Sequence, residues 1–543
     1  PSPEEQSADG KFGFLGHRIL GWGTGQSIAP RRDAPLAGLD WWTMPYPFTR
    51  GPLALVVLVA MASACGALGQ RRPDTVIVAS GADLQSMNSL VTTHPLARQV
   101  QRYVLLTTLV QYDSALAVKP YLARRWVWLP DSTRLAFVLR SGVTWHDGRR
   151  TTARDVAFTL KTALDPATGY PRRADLADLD RVLAVDDTLV WLYFSRRQNR
   201  IPDVLTDLAI LPAHLLEGTP PSEMRRAAWN ERPVGNGPFR FVRHEANRRW
   251  VFEANPGFPP SLGGKPKIAR LVIAVVDEPM TKLAALTSSE LDFAGIQPAH
   301  AWFVQQDPAL TVLDYPLLMS YAIVFNTRRP PFDRADRRRA LGAAIDRAAI
   351  ASGYLFGYGV PAGGPLPPEL AGDSSPPLYA PGRARALFGD SLRFELLTVG
   401  SGEAAMEQMI QQQLGRIGIT MTIRQLELAS FLDRVQTGRD FDAAVMGIPG
   451  DLQLGYLRTL LDLTGLSAAG TGRALLPVFR DSVPASFLYH ARGVQGMNRR
   501  MSGVRMDLRG ELAKYAPANN FSFLQAKVFL MADANDRYIP HTE

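Results

Sequence analysis

The chain has 543 residues, of which 46% are apolar and 20% charged, and a formal net charge of +9. This balance excludes an intrinsically disordered chain, and the length supports two or three packed lobes rather than one core. A single cysteine excludes an internal disulfide framework. The basic surplus is mostly arginine, with no long Lys/Arg block and no recognised nucleic-acid motif, so no nucleic-acid partner is expected.

Residues 1–43 carry Gly, Pro, Ser and scattered charge without periodicity, and read as a non-native or disordered leader before a start at Met44. Beyond Arg50 runs an uncharged apolar stretch from Leu53 to Ala64, closed by Cys65 and followed by Arg71 and Arg72. A positive start, a short apolar core and small residues at the cut make residues 44–64 a secretory signal. A membrane-spanning anchor needs roughly 20 mostly apolar residues, more than this run supplies. Ala62-Ser63-Ala64 leading into Cys65 resembles a bacterial lipobox, although Ala62 stands where lipoboxes most often carry Leu. The resemblance implies that Cys65 receives a lipid and begins the mature chain, with residues 65–73 as a tether.

Strands are predicted at Thr75–Ala79, Leu135–Leu139 and Leu189–Phe194, and another within 268–276. Thr152 and Asp155 form a capping-box pattern before Val156, Leu160 and Ala163 at helical spacing. Helices are also predicted over 280–286 and over 336–350, the second with Ala340, Leu341, Ala344, Ile345 and Ala348 on one stripe. From 392 to 447 the order is clearest: a strand over 392–399, a helix carrying Met406, Met409, Ile410, Leu414 and Ile417 that stops at Gly418, a strand with Ile419, Met421 and Ile423, a helix from Phe431, and a strand over 442–446. That βαβαβ order predicts a largely parallel sheet covered by helices, an α/β class.

The chemistry-bearing motifs are missing. The eight histidines are scattered, and there is no metal-ligand spacing, nucleophile elbow, phosphate loop or dinucleotide fingerprint. Gly235-Asn-Gly-Pro-Phe239 leads into a strand rather than a helix, so it is no phosphate cradle. His146-Asp147 followed by Gly148 reads as turn chemistry rather than an acid/base pair. No catalytic residue, metal or cofactor is expected.

The block Leu122-Ala-Arg-Arg-Trp126, Asp131, Phe137-Val-Leu-Arg140, Gly142-Val143, Trp145-His-Asp-Gly148, Thr152-Ala153 and Asp155-Val-Ala-Phe158 closely resembles the family 5 solute-binding proteins of ABC importers. Gly235 to Phe241, Asn255-Pro256, Ser289-Glu-Leu-Asp292, Phe325-Asn326, Pro330-Pro-Phe332, Arg339-Ala-Leu341, Ile345-Asp-Arg347, Gln413-Leu414, Ile417-Gly-Ile419 and Phe441-Asp442 follow in family order. The resemblance implies a two-lobed periplasmic-binding-protein clamp with an extra subdomain. It suggests lobe I over 74–276 with the subdomain inserted at about 116–207, lobe II over 277–484, a return to lobe I over 485–512, and a tail of unclear role over 513–543.

Ligand in such a clamp is enclosed as a hinge closes, and ligands of doubly wound sheets sit beyond the carboxyl ends of strands. Met446-Gly-Ile-Pro-Gly-Asp451 is similar to the M-G-W-x-G-D segment whose aspartate, in peptide-binding members, pairs with the α-ammonium of the peptide. Asp451 is therefore the expected ligand-binding residue, with Gly447 and Gly450 beside it. Two departures stand out: Ile448 replaces the aromatic, and the chain between Leu466 and Asp481 is shorter than is usual in the family, implying a trimmed lobe or a more open mouth. The implied function is a lipid-anchored component of the cell envelope, likened to monomeric binding proteins, that captures peptides or similar solutes for a permease with ATPase subunits. A chaperone-like or signalling receptor on the same clamp is the competing reading, and a membrane-anchored hydrolase the weaker one.

Overall fold

The structure is a computed structural model that describes residues 74–506 and 508, except 93, 114–115, 372–374, 390–391 and 401. The expected signal, leader and lipidation site at Cys65, and the tail over 513–543, lie outside the described residues.

An 11-stranded mixed sheet runs through the fold. Across it lie Thr420–Leu426, Arg393–Val399, Ala443–Pro449, Leu310–Phe325, Ala485–Asn498, Phe293–Gly295, Thr75–Ser80, Arg270–Val275, Arg249–Ala254 and Phe239–Glu245. Gly359–Pro361 adds to Ala485–Asn498. At one end the first three strands are mutually parallel. At the other, Thr75–Ser80 is parallel to both Arg270–Val275 and Phe293–Gly295. Their apolar runs, such as Ala443-Ala-Val-Met446, suit strands covered on both faces.

Two long antiparallel strands, Leu310–Phe325 and Ala485–Asn498, join the ends, pairing from Leu310 with Asn498 to Val324 with Ala485. Their register shifts between Pro316 and Ser320, where Pro316 has no N–H to give to a ladder. A separate four-stranded antiparallel sheet, ordered Ala123–Trp128, Arg134–Leu139, Leu189–Phe194 and Leu179–Ala184, carries the helix Ala153–Leu164.

Local chemistry explains most element ends. Asp155 accepts the Thr152 N–H at 2.8 Å, completing the capping box. Glu278 accepts the Met280 N–H at 2.8 Å and starts the helix Pro279–Thr287, whose first residue needs no donor. The helix Ala405–Gly415 stops before Gly418, which has φ +83°.

Two expectations need correction. The helix predicted over 336–350 is broken: Ala335–Ala343 ends, and Asp346 starts a new turn by accepting the Ala349 N–H at 2.9 Å. An aspartate that caps a turn competes with helix continuation, and the break turns Arg347 inward. The strand predicted over 442–446 runs on through Pro449, because Met319, Ser320 and Tyr321 continue to pair with Pro449, Ile448 and Gly447.

His146 acts as a clip. Its Nδ1 accepts the Gly235 N–H at 3.2 Å, and its Nε2 lies 3.0 Å from the Gly237 carbonyl. Burial pulls its imidazole down to about 4, so it is neutral and suited to one donor and one acceptor role. Asp147 faces His214 instead, at 2.7 Å.

Candidate functional site

The register places the carboxyl ends of both parallel sets near the same place. Pro449 pairs with Met319, inside the irregularity of the long strands, and Gly295 pairs with Gln495 a few residues from it. Leu318, within the irregularity, accepts the Gly450 N–H at 2.7 Å. The turn that begins at Gly450 thus hangs on the crossing point of the long strands. A Cβ at Gly450 would come to 3.3 Å of the Leu318 oxygen, so a side chain there would press on this junction.

Asp451 follows directly and is exposed. Its Oδ1 accepts N–H groups of Gln453 at 2.8 Å and Gly455 at 3.0 Å, and its Oδ2 that of Tyr456 at 3.0 Å. The carboxylate therefore holds the turn that leads into the helix Tyr456–Thr464 and takes the first helical N–H, while Gly455 is the N-cap. A carboxylate offers about four acceptor directions, so three backbone donors leave one for another partner. The Tyr456 hydroxyl donates to the Pro365 carbonyl at 2.8 Å, tying the helix start down.

Gly447 serves a different purpose. It lies opposite Tyr321, and a Cβ there would stand 2.6 Å from the Met319 methyl and 3.3 Å from the Tyr321 ring. The space is filled by aromatics: Tyr321 stacks on Tyr489, with centroids 4.8 Å apart and planes at 16°. Beside them, at the carboxyl end of Arg393–Val399, Thr398 donates to the buried Glu407 at 2.6 Å. Burial first, and the Glu407 charge in addition, raise the phenols of Tyr321, Tyr354 and Tyr489 above their usual range.

Sequence reasoning singled out Asp451, Gly447 and Gly450, and these gather within one strand end and its turn. It missed Met319, Tyr321, Glu407 and Tyr489. Each reads locally as ordinary strand or helix material, and only the pairing of distant strands brings them together. Ile448, where an aromatic was expected, is buried and packs with Ala322, Val324 and Phe487.

Among the described residues, no group of three or more His, Cys, Asp or Glu is placed to hold a metal ion. No described helix is long and apolar enough to cross a membrane.

The comparisons with known proteins agree with this geometry. A family model for bacterial extracellular solute-binding proteins, family 5, matches residues 117–457. The "Di/tripeptide-binding protein 2" of Pseudomonas aeruginosa is 29% identical over 420 residues, covering 70% of this chain and 77% of the relative. The "Dipeptide-binding protein" of Escherichia coli is 26% identical, covering 74% of this chain and 79% of that protein. The oligopeptide-binding protein AppA of Bacillus subtilis, solved with a nonapeptide, superposes with a TM-score of 0.64 at 22% identity, over 81% of this chain and 99% of that one. NikZ of Campylobacter jejuni, solved with Ni(L-His), gives a TM-score of 0.66 at 20% identity, over 81% and 98%. These structures share the two-lobed α/β clamp, and the relatives are binding proteins rather than enzymes. The chain belongs to the bacterial extracellular solute-binding proteins, family 5.

Proposed function

We propose that the protein captures peptides for an ABC permease with its ATPase subunits, that it works as a monomer held at the membrane through lipid on Cys65, and that Asp451 holds the peptide's α-ammonium. The observation that carries this reading is the exposed Asp451 carboxylate at the carboxyl end of Ala443–Pro449, beside the crossing strands. An ammonium enclosed between lobes demands a carboxylate, because an unpaired charge there is costly. The names of the Pseudomonas and Escherichia relatives support a peptide over other solutes. The lobes are proposed to meet at Pro316–Ser320 and His490–Arg492, where the long strands lose register, rather than at 277 and 484. The pairing of Phe293–Gly295 with Thr75–Ser80 supports grouping that segment with lobe I.

Calorimetry of one tripeptide, free and N-acetylated, tests the anchor. A charge-assisted hydrogen bond contributes roughly 1.5–3 kcal/mol. Acetylation, or Asp451→Asn, is therefore expected to weaken binding about tenfold to more than a hundredfold. Equal binding of both peptides, or normal binding by Asp451→Asn, removes Asp451 from the site and leaves it a turn residue. Cys65→Ser is expected to move the protein from the membrane to the soluble fraction, and unchanged membrane retention overturns the anchor.

A further inference from the structure

A second concavity, of about 570 Å³, opens in the same half of the sheet; it shares the start of the strand Ala485–Asn498 and Pro365 with the site above, but Asp451, Gly447 and Gly450 do not line it. This volume is in the range of small-molecule pockets. Its floor includes the buried Leu366, Phe479, Ala485 and Phe487. Five arginines line it, Arg339, Arg347, Arg383, Arg473 and Arg480, and among the described residues no aspartate or glutamate does.

Among the described residues, the one carboxylate paired with these arginines is Asp481, 2.9 Å from Arg480 and close enough to Arg339 to feel its charge. Arg339 donates to the Asp481 carbonyl and Arg473 to the Leu370 carbonyl, each at 2.8 Å. Arg383 is exposed in the first turn of the helix Pro381–Phe388. Arg347 is 5% exposed, and its guanidinium faces the Phe487 and Gly342 carbonyls at 2.7 Å and the Ser486 hydroxyl at 2.9 Å. Burial without a counter-ion pulls it down to about 10.

Elsewhere on the surface arginines meet carboxylates, as in Arg134 with Asp131, Arg329 with Asp440 and Arg492 with Asp314. Here, among the described residues, one carboxylate, Asp481, serves five arginines. Clustered cations around an apolar floor attract a negative group and favour an apolar body behind it. Guanidinium groups are suited to carboxylate and phosphate because their donors match the oxygens in pairs.

We propose that this cavity binds a small organic anion, a carboxylate or phosphate monoester on an apolar body, separately from the Asp451 site. The anionic head meets Arg339, Arg383 and Arg473 at the rim, and the body rests on Leu366, Phe479 and Phe487. Arg347 supplies fixed positive potential from the floor.

Calorimetry of the full chain with 2-naphthyl phosphate and 2-naphthoate tests this, with 2-naphthol as the neutral probe and inorganic phosphate as the bare head. Saturable binding of both organic anions is expected, weakening as salt rises, with 2-naphthol and inorganic phosphate each at least about tenfold weaker. The double variant Arg383→Gln/Arg473→Gln should lose at least about tenfold in anion affinity. Both side chains are exposed, so its thermal unfolding and its peptide binding should be unchanged. Asp451→Asn should bind the anions as the parent does. The proposal is overturned if neither anion saturates below about 1 mM, if 2-naphthol or inorganic phosphate binds equally well, or if the double variant binds normally. Loss of anion binding in Asp451→Asn also overturns it, because that puts the anion in the cleft.

Discussion

Tyr321 and Tyr489 stack across the two strands that join the ends of the sheet, one ring from each strand, with centroids 4.8 Å apart. Gly447 is the residue that leaves room for the first ring. Such a pair is worth roughly 0.5–1.5 kcal/mol beyond its buried area. Gly447→Val is expected to displace the ring and lower stability by about 1–3 kcal/mol, and, if the crossing is the hinge, to weaken ligand binding as well. Denaturant unfolding and ligand titration of the one variant check both. Unchanged unfolding would show that Met319 and Tyr321 give way freely.

The aspartate of Ser289-Glu-Leu-Asp292 is fully buried and holds distant strands together. Arg500 donates to its Oδ1 at 2.6 Å and the Ile77 N–H to its Oδ2 at 2.8 Å. Arg500 also donates to the Thr75 carbonyl at 2.9 Å. Removing one partner of a buried pair leaves the other charge uncompensated, at about 3–5 kcal/mol. Asp292→Ala is expected to cost that much in urea unfolding, and a loss under about 1 kcal/mol would mean that water replaces the carboxylate.

Acid should destabilise the protein in two stages. Burial lowers His490 to about 4, with its Nδ1 2.8 Å from the Ser320 hydroxyl, and lowers His146 to about 4 beside Gly235 and Gly237. Both folded values lie below the unfolded value of 6.5, so the unfolded chain binds more protons between them. Stability is therefore full above pH 6.5 and falls as pH drops through 4, by up to about 3 kcal/mol for His490. Asp83 adds the second stage. Burial opposes its charge, but hydrogen bonds from Trp250, His244, Asn247 and Gln85 outweigh that and hold it at about 2, below 3.8. Its contribution is present above pH 3.8 and is lost toward pH 2. Unfolding midpoints should be level from pH 7.5 to 6.5, fall from 6.5 to 4, and fall again from 3.8 toward 2, and His490→Gln should flatten part of the first slope. A flat profile would show that these imidazoles titrate alike in the folded and unfolded chain.

Gly235 and Gly237 lie flat on the backbone of Val104 and Leu105. A Cβ at Gly235 would stand 1.9 Å from the Leu105 oxygen, and one at Gly237 2.6 Å from the Val104 oxygen. The obstacle is main chain, which cannot rotate away. Gly235→Ala is expected to destabilise by about 2–3 kcal/mol, with a matching drop in thermal midpoint. A normal midpoint would require the His146 clip to open without cost.

Much of the lobe around residues 392–447 is legible in the amino-acid order, because its strands and helices bury apolar residues at periods of 2 and 3.6 and end at residues such as Gly418. The family is legible too, from turn and cap residues whose spacing follows local chemistry: Trp145 to Gly148, Thr152 with Asp155, and Gly235 to Phe239. The same local signals overran at Ala344–Asp346, where apolar spacing continued but Asp346 capped a new turn. They fell short at Met446, where pairing with a strand more than a hundred residues away carried the ladder on to Pro449. Asp451 could be named from its turn, but its three backbone donors, on Gln453, Gly455 and the first helical residue Tyr456, could not, since they meet the carboxylate only once the turn has folded back on it. Tyr321, Glu407 and Tyr489 lie far apart in the chain and share no local pattern, and the arginines of the second cavity come from three stretches, 339–347, 383 and 473–480. Their meeting depends on which strands pair and in what register, and that is decided by the packing of the whole sheet rather than by any stretch of residues.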